Sequence, residues 1–429
     1  MKFNKIEQQL KQVFSNEYIN ELARESGFLK RIRKMSPFQL LLSIISVMGS
    51  HKIESLADCL RSYNFISGEN MAYKPFHNQL AKPEFADFMR ESTNHLLGRL
   101  IQKSLKTPLK GAFSEFERII IQDGSSFAVN DELASIFPGR FDSISPAAVE
   151  LHVTYDLLNE QLDSITLTED TAPERTYLPD ACSCKNALLL ADAGYFSRDY
   201  VASLIENKAR FIIKADSKIN PVIESCHTPT KHNKNLLGVK LKSAFTYLSK
   251  SEPNELIVRW QLSHKHWFTC RLVVTWNPVL KRFQYLVTNL PRSSYKASKV
   301  IDAYCLRWQI ELVFKEWKSY SNLKSFNTAK PQIVEGMIWC AIIASTLKRF
   351  LALKTQQLFN VEISTRKVAM CAAHVLAPLI KVLSQTRRIG FYSVLKNTLE
   401  FFKSNAKRAH PNRDRMHGRL KIGLEPCFD

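Results

Sequence analysis

The sequence predicts a mixed α/β fold with helical regions at both ends, and three observations lead to this prediction. Apolar residues recur at helical spacing through residues 1–103 and again from residue 296 to about residue 402. Between these regions, short apolar runs with strand-like alternation are separated by turn residues. Two of the runs are followed at once by an aspartate, Asp123 and Asp192. We therefore expect a central sheet, flanked by helices, with acidic side chains where strands end.

The first predicted region, residues 1–110, is helical. Ser36-Pro37 is a typical helix start, and an apolar run follows it to residue 48. Two further short helices are predicted over residues 53–63 and 73–80. Short helices separated by tight turns can form a helix-turn-helix that reads DNA. A plain helical domain fits the same pattern equally well.

The second region, residues 111–215, begins a sheet. Strands are predicted at residues 118–124, 147–157 and 161–168, the last two as a hairpin. A buried strand at 187–191 follows, then a helix that Ser197 caps and that runs to about Asn207, and then a strand at 210–214. Three strands, a helical crossover, another strand and a helix match the order of a ribonuclease-H-like core.

The remaining regions complete the predicted layout. Residues 216–288 are basic and rich in strands, and we interpret them as an inserted β domain. Residues 289–365 would supply the rest of the core, with a continuous helical tract over 296–319. Residues 366–429 are predicted to form a basic helical region and a tail, and residues 403–421 of that tail hold seven basic residues and one acidic residue.

The charge of the chain favours a polyanionic partner. Sixty Lys and Arg residues against 40 Asp and Glu give a net charge of +20 over 429 residues, and nucleic acid is the commonest partner of such proteins. The basic excess is spread over several stretches, which suits a long polymer better than a small ligand. Nine scattered cysteines and the absence of a signal peptide favour reduced thiols and a cytoplasmic protein. No apolar run reaches membrane length, and the longest, residues 336–345, is predicted to be a buried helix.

The most informative stretch is residues 304–318. If it is a helix, four side chains fall within one narrow stripe: Tyr304, Arg307, Glu311 and Lys318. Its apolar side chains, Leu306, Ile310, Val313 and Trp317, point the other way, toward a core. A carboxylate beside two cations and a phenol suits a metal ion next to a phosphate. A surface helix with ion pairs such as Glu311–Lys315 is the alternative that the stretch alone leaves open.

Three acidic residues far apart in the chain are the predicted metal ligands: Asp123, Asp192 and Glu311. Clustered carboxylates repel one another and need a cation. Hard oxygen ligands select Mg²⁺ or Mn²⁺, and two such ions can activate a nucleophile and steady the leaving oxygen of a phosphodiester. Taken singly, each aspartate could instead be a turn residue before a glycine.

The motifs together resemble a known family. Asp-Gly-Ser from Asp123, Asp-Ala-Gly-Tyr-Phe from Asp192, and Tyr-x2-Arg-x3-Glu-x6-Lys from Tyr304 to Lys318 are similar to those of bacterial insertion-sequence DDE transposases with the YREK motif. The resemblance covers about residues 36–350. It implies cut-and-paste transposition by a homodimer paired on two transposon ends, with terminal inverted repeats and target DNA as substrates. It also implies a bacterial protein that is associated with the nucleoid in the cytoplasm.

The resemblance also implies residue roles. Asp123, Asp192 and Glu311 would be catalytic and hold Mg²⁺ or Mn²⁺, in all two ions, while Tyr304, Arg307 and Lys318 would grip phosphates near the cleaved end. Trp308 would take part in recognising the end or a hairpin, with core packing as its alternative. Two rival functions remain at this point: a ribonuclease-H-like nuclease that cuts structured DNA, and an inactive DNA-binding protein derived from a transposase.

Overall fold

The computed structural model describes residues 3–31, 35–50, 53–101, 109–110, 113–159, 161–227, 236–262, 266–323, 328–385, 387–409 and 425–426. Helices form the first part of the chain: α1 Phe3–Val13, α2 Asn16–Glu25, α3 Pro37–Ser50, α4 Leu56–Ser67, α5 Tyr73–Leu80 and α6 Pro83–Ile101. The three helices predicted within this part are α3, α4 and α5, and α4 begins three residues later than predicted.

Strands dominate the middle of the chain, with one helix among them. The strands are β1 Leu109–Lys110, β2 Arg118–Ala128, β3 Pro138–Phe141, β4 Ser145–Asp156, β5 Gln161–Glu169, β6 Ala187–Ala191, β7 Arg210–Ala215, β8 Val222–Cys226, β9 Asn254–Gln261, β10 Trp267–Asn277 and β11 Arg282–Thr288. Helix α7, Arg198–Glu206, connects β6 to β7. Ser197 precedes α7 as predicted, but its side chain makes no capping hydrogen bond there.

The last part is again helical: α8 Ala297–Cys305, α9 Trp308–Tyr320, α10 Pro331–Phe359, α11 Thr365–Cys371, α12 Leu376–Ser384 and α13 Phe391–Asn405. A final short strand, β12 Glu425–Pro426, pairs with β1. Most of the predicted basic tail, residues 410–424, lies outside the described residues.

A single sheet of ten strands forms the centre of the molecule, in the order β3-β4-β2-β6-β7-β11-β10-β9-β8, with β5 also paired to β4. Strands β2, β4 and β5 form an antiparallel meander, while β6 is parallel to β2, and β7 is parallel to β6. The mixed α/β prediction is therefore confirmed. A parallel step needs a crossover connection, and α7 supplies the one from β6 to β7.

The strands of the predicted inserted region continue this central sheet. Strand β11 pairs antiparallel with β7, and β10, β9 and β8 follow outward in turn. Their apolar side chains join a core that also contains Leu189 and Phe211 from β6 and β7. The boundary at residue 216 stays a prediction.

The N-terminal and C-terminal helices pack on each other. Helix α10 lies against α6 and α3 from the N-terminal region and against α13 from the C-terminal region. Among the described helices, α10 is long and apolar enough by itself to cross a membrane, but 89% of its apolar window is buried within the protein. It is a core helix, as predicted for residues 336–345, and those ten residues are all buried.

Two local predictions were wrong. Asp123 does not end its strand before a turn, because β2 continues to Ala128 and pairs with β4 throughout, with Gly124 opposite His152. The helical tract over 296–319 is not continuous either, since α8 ends at Cys305 and α9 begins at Trp308. Both differences from the prediction lie at predicted site residues: Asp123 in the first case and Arg307 in the second.

Candidate active site

The register of the central sheet brings the two aspartates to one place. The parallel pairing of β2 with β6 ends at Gln122 and Ala191. The next residue of each chain segment is Asp123 or Asp192. Strand β2 goes on beyond this point with β4 alone, and the segment after β6 turns into a short 3-10 helix, Ala193–Tyr195. The two carboxylates therefore start from neighbouring strands at the carboxyl-terminal edge of their pairing.

A tightened turn between α8 and α9 positions the side chains of Tyr304, Arg307 and Glu311. The backbone amides of Leu306 and Arg307 bond to the carbonyls three residues earlier, and so do those of Gln309 and Ile310. This 3-10 geometry winds the chain more tightly than an α-helix. Leu306 and Ile310 are still buried, as the predicted apolar face requires, and so are Val313 and Trp317.

Arg307 lies between two of the predicted metal ligands. Its Nη1 contacts Oδ2 of Asp123 and lies 3.4 Å from Oε1 of Glu311. Arg307 is only 6% exposed, so this ion pair is shielded from water on most sides. Among the described residues, Glu311 thus pairs with Arg307 and not with Lys315, the partner in the alternative interpretation.

Asp192 has its own partners. The Tyr304 hydroxyl donates to Oδ1 of Asp192 at 2.9 Å, and Nζ of Lys214 lies 3.2 Å from the same oxygen. Sequence reasoning missed Lys214. The signal lies in the strand register and not in a motif: Ile213 pairs with Ala191 across β6 and β7, and this pairing places Lys214 next to Asp192.

The protonation of the two aspartates differs because their surroundings differ. Burial raises the pKa of Asp123, and the opposing contributions of Arg307 and the Gly124 amide do not cancel this effect. Burial would also raise the pKa of Asp192, but Arg307, Lys214 and the Tyr304 hydroxyl outweigh it, so that pKa is lowered. The site thus favours an ionised Asp192 more strongly than an ionised Asp123.

The two remaining predicted site residues, Lys318 and Trp308, have different surroundings. Lys318 donates from Nζ to the backbone oxygen of Ser126 at 2.8 Å, which ties α9 to β2. Trp308 is 61% exposed, with its ring 5.6 Å from the guanidinium of Arg307. The alternative of core packing for Trp308 is therefore wrong, and its aromatic face is accessible beside the site.

The donor chemistry of this centre fits a hard divalent cation. Carboxylate oxygens of Asp123 and Glu311 share one guanidinium nitrogen, which shows how close together they lie. Among the described residues, no three His, Cys, Asp or Glu side chains are already grouped as ligands of one ion. In this arrangement Arg307 provides the positive charge that the acids need.

Comparisons with known proteins relate the sequence to transposases. A family model described as the transposase DDE domain matches residues 114–347, a range that includes all three acids. The chain is 23% identical to the transposase for insertion sequence element IS231C of Bacillus thuringiensis subsp. berliner, over 91% of this chain and 89% of that protein. It is 23% identical to the transposase for insertion sequence element IS1151 of Clostridium perfringens, over 94% and 92% of the two chains.

Proposed function

This chain belongs to the transposase DDE domain family, and from that premise we propose that Asp123, Asp192 and Glu311 are its catalytic acids. The protein is a DDE transposase, an enzyme of insertion-sequence DNA transposition. The observation that carries the assignment of residues is the shared Arg307 guanidinium. It contacts Glu311, four residues later on the same helix turn, and also Asp123, which lies 184 residues earlier in the chain.

DDE transposases depend on divalent metal ions, and we propose Mg²⁺ or Mn²⁺, two ions in all, held by these three carboxylates. Oxygen-only donors favour these cations. When bound, they would supply Lewis-acid stabilisation of the charge that develops on the phosphate oxygens. Binding them requires Arg307 to give up part of its contact with the acids.

The neighbouring residues would position the acids and the DNA strand. The Tyr304 hydroxyl and Lys214 hold Asp192 by one oxygen, which leaves its other oxygen to bind a cation. Nε of Arg307 is buried and has no hydrogen-bond partner among the described residues, so a phosphate oxygen would satisfy it. The exposed ring of Trp308 offers a stacking surface for a base beside the cleaved end, and Lys318 would add a cation there.

The reaction we propose has four phosphoryl transfers and no covalent protein intermediate. Water attacks the phosphodiester at the transposon end and releases a 3′-hydroxyl. That hydroxyl attacks the phosphodiester of the opposite strand, displaces the 3′-hydroxyl of the flanking DNA and closes a hairpin. A second water molecule hydrolyses the hairpin phosphodiester and restores the 3′-hydroxyl of the transposon end. The free 3′-hydroxyl finally attacks target DNA. Arg307 would hold the scissile phosphate in line for each attack, and the three acids would hold the cations beside it.

The strand order supports a ribonuclease-H-like core. Strands β5-β4-β2-β6-β7 lie side by side in that order, the first three antiparallel and the last two parallel to β2. We keep the domain proposal: an end-binding region at 1–110, core parts at 111–215 and 289–365, an inserted β domain at 216–288 and a basic region at 366–429. A homodimer that holds two inverted repeats on target DNA is part of the same proposal.

The rival functions are less favoured. A nuclease without a mobile element and an inactive derivative would both keep the sheet, but the chain matches transposases over more than nine-tenths of its length. Each acid also has a partner among the described residues: Arg307 for Asp123 and Glu311, and Tyr304 and Lys214 for Asp192.

The test replaces Glu311 by glutamine and follows cleavage of the inverted-repeat DNA that flanks the gene, in Mg²⁺. We expect cleavage to fall by at least about 100-fold, since a neutral amide binds the cation poorly, while DNA binding stays intact. Glu400→Gln is the matched control. Glu400 is 48% exposed against 44% for Glu311, and each is paired with a cation four residues earlier.

The result that would contradict the proposal is undiminished cleavage by Glu311→Gln. A nicking activity of the unchanged chain on DNA that lacks the inverted repeats would favour the nuclease instead. Failure of the unchanged chain to cut any DNA in Mg²⁺ or Mn²⁺ would favour the inactive derivative.

A further inference from the structure

Arg140, on the edge strand β3, contacts three acidic residues near the two aspartates: Glu150, Asp170 and Glu174. Nη2 of Arg140 lies 2.5 Å from Oε2 of Glu150, and its Nη1 lies 3.1 Å from Oε1 of Glu174. Its backbone amide donates to Oδ2 of Asp170 at 2.9 Å, and its Nε donates to the Asp170 backbone oxygen at 2.5 Å. Arg140 thus joins β3 to β4, to the end of β5 and to the 3-10 helix Glu174–Tyr177.

The carboxylates of Glu150 and Glu174 lie close to Gly124 and Gly194, the glycines just after the two proposed catalytic aspartates. A methyl group on Gly124 would come within 2.5 Å of Oε1 of Glu150 and 3.1 Å of the Tyr195 hydroxyl. A methyl group on Gly194 would overlap the carboxylate of Glu174. Glycine leaves room for this approach, and each carboxylate lies against the backbone beside one aspartate.

A second set of contacts makes this support rigid. His152 on β4 lies 3.1 Å from the Tyr195 hydroxyl through Nδ1 and 3.1 Å from Oγ1 of Thr168 through Nε2. The ring of Tyr177 stacks on the His152 ring with centroids 4.1 Å apart. Tyr195 belongs to the segment that carries Asp192, so this network and the Arg140 contacts act on the same turn.

We propose that Arg140 is a positioning residue for the reaction: by holding Glu150 against Gly124 and Glu174 against Gly194, it sets the separation of the Asp123 and Asp192 carboxylates. This inference rests on the catalytic roles proposed for the two aspartates. Arg140 itself touches neither of them and acts through the two glutamates.

The chemistry of the cluster explains why an arginine is needed. Glu150 and Asp170 are each 3% exposed, so their charges need a partner within the protein. The planar guanidinium carries donors in a fixed fork and can serve several acceptors at once, whereas a lysine ammonium is a single point of charge. Supporting residues around metal ligands typically change metal affinity 10- to 100-fold when they are removed.

The experiment compares Arg140→Gln with Arg118→Gln in the full chain on the inverted-repeat DNA that flanks its gene. Arg118 begins β2 and pairs with Asp163 at 2.9 Å, and its side chain is 35% exposed against 37% for Arg140. It is thus a matched arginine at the other end of the Asp123 strand. Two quantities are measured: Mn²⁺ bound, by electron paramagnetic resonance, and the Mn²⁺ concentration that gives half-maximal cleavage.

We expect Arg140→Gln to need roughly tenfold more Mn²⁺ in both measurements, with unchanged affinity for DNA, and Arg118→Gln to match the unchanged chain. Arg140→Lys should lie between them, because it restores the charge without the fork. Equal Mn²⁺ requirements for Arg140→Gln and Arg118→Gln would overturn the proposal.

A second variant covers the case in which Arg140→Gln does not fold. Gly194→Ala keeps every charge but displaces the Glu174 carboxylate, and we expect the same rise in Mn²⁺ requirement. Wild-type Mn²⁺ binding by Gly194→Ala would overturn the proposal as well. Glu311→Gln separates the two levels of failure: if it binds Mn²⁺ and cleaves normally, the catalytic site itself is misassigned. If it loses both while Arg140→Gln remains normal, only the positioning role fails.

Discussion

At the scale of single residues, two cations in different positions oppose the charge of the three carboxylates in the site. Arg307 lies between Asp123 and Glu311, and Lys214 pairs with Asp192. Carboxylates that approach one another hold protons more tightly unless a cation intervenes. Lys214 is therefore the side chain whose removal changes the ionisation of Asp192 with the least disturbance of the other two acids.

We predict that Lys214→Met loses activity at a higher pH than the unchanged chain as the solution is acidified. The pKa of Asp192 is lowered because Arg307, Lys214 and Tyr304 outweigh its burial, so the carboxylate stays ionised until the pH falls through that lowered value. Removing Lys214 raises the pKa, and the ionised form is lost sooner on acidification. The measurement is the cleavage rate at saturating DNA from pH 3 to pH 9, because the lowered pKa of Asp192 lies below the usual range of a carboxyl group.

Lys214→Arg is the control, because it keeps the charge beside Asp192. It should keep the acid side of the pH profile where the unchanged chain has it, and Lys214→Met should be several-fold slower at low pH yet close to normal at pH 8.5. Superimposable profiles for the two variants would show that Lys214 does not set the ionisation of Asp192.

What the sequence could predict at this scale depends on whether the signal is local. Asp123, Asp192 and Glu311 each stand in a motif of a few residues. In the structure Asp123 and Glu311 share Arg307, and Asp192 follows the strand that pairs with β2, while their joint role as metal ligands stays a prediction. Lys214 and Arg140 stand in no motif. Their partners are fixed by strand register and by an edge strand that the sequence did not reveal, so their interactions become apparent only once the sheet has formed.

At the scale of elements, the orientation of α9 decides where Arg307 and Glu311 point. A buried ion pair between Glu316 on α9 and Arg349 on α10 holds that helix in place. Oε2 of Glu316 on α9 accepts from Nε of Arg349 on α10 at 2.9 Å, and its Oε1 accepts from the Thr365 hydroxyl on α11 at 2.8 Å. Three helices thus meet at one carboxylate, whose side chain is 6% exposed.

We predict that Arg349→Met lowers the free energy of unfolding by about 3 kcal/mol, since it leaves the Glu316 carboxylate buried without its counter-ion. Urea unfolding followed by circular dichroism measures the change. Lys396→Met is the control, because Lys396 and Glu400 form a helix pair in which both side chains are 48% exposed. The control should cost at most about 0.5 kcal/mol.

A decrease below about 1 kcal/mol in Arg349→Met would mean that the three-helix junction does not depend on this ion pair. If the decrease is large, cleavage should fall as well under conditions in which the variant is still folded. The reason is that α9 would then be free to turn Glu311 away from Asp123.

Element boundaries followed from the sequence where the signals were local, and failed where tertiary contacts decided. Residues 187–191 form β6 as predicted, because a continuous apolar run is typical of a strand buried on both faces. The break between α8 and α9 was missed, since the apolar pattern runs through it unchanged. In the structure, the tightened turn lets Tyr304 reach Asp192 while Arg307 reaches Asp123.

At the scale of the whole molecule, the order of the sheet was only partly predictable. The hairpin of β4 and β5 joins neighbours in sequence, and the parallel steps follow from the strand-helix-strand pattern of β6, α7 and β7. The pairing of β7 with β11 joins strands that 66 residues separate. No local pattern encodes such a pairing, so the connection of the inserted region to the central sheet was not predicted.

The net charge of +20 gives the molecule a property that no single residue provides. Binding to DNA releases counter-ions, so affinity must fall steeply as salt rises. The basic tail is the part of the chain where this effect can be separated from the site. Four of its cations are Arg413, Arg415, Arg419 and Lys421, and all of them lie outside the described residues.

We predict that replacing these four cations by glutamine weakens binding equally for DNA with and without the inverted repeat. Charges that meet only phosphates carry no sequence preference. The slope of log affinity against log salt should become shallower by about 0.9 for each phosphate that the variant no longer neutralises, as measured by fluorescence anisotropy between 50 and 200 mM salt. Weakening confined to inverted-repeat DNA would instead assign the tail to end recognition, and an unchanged slope would mean that the helical regions and the sheet neutralise the phosphates.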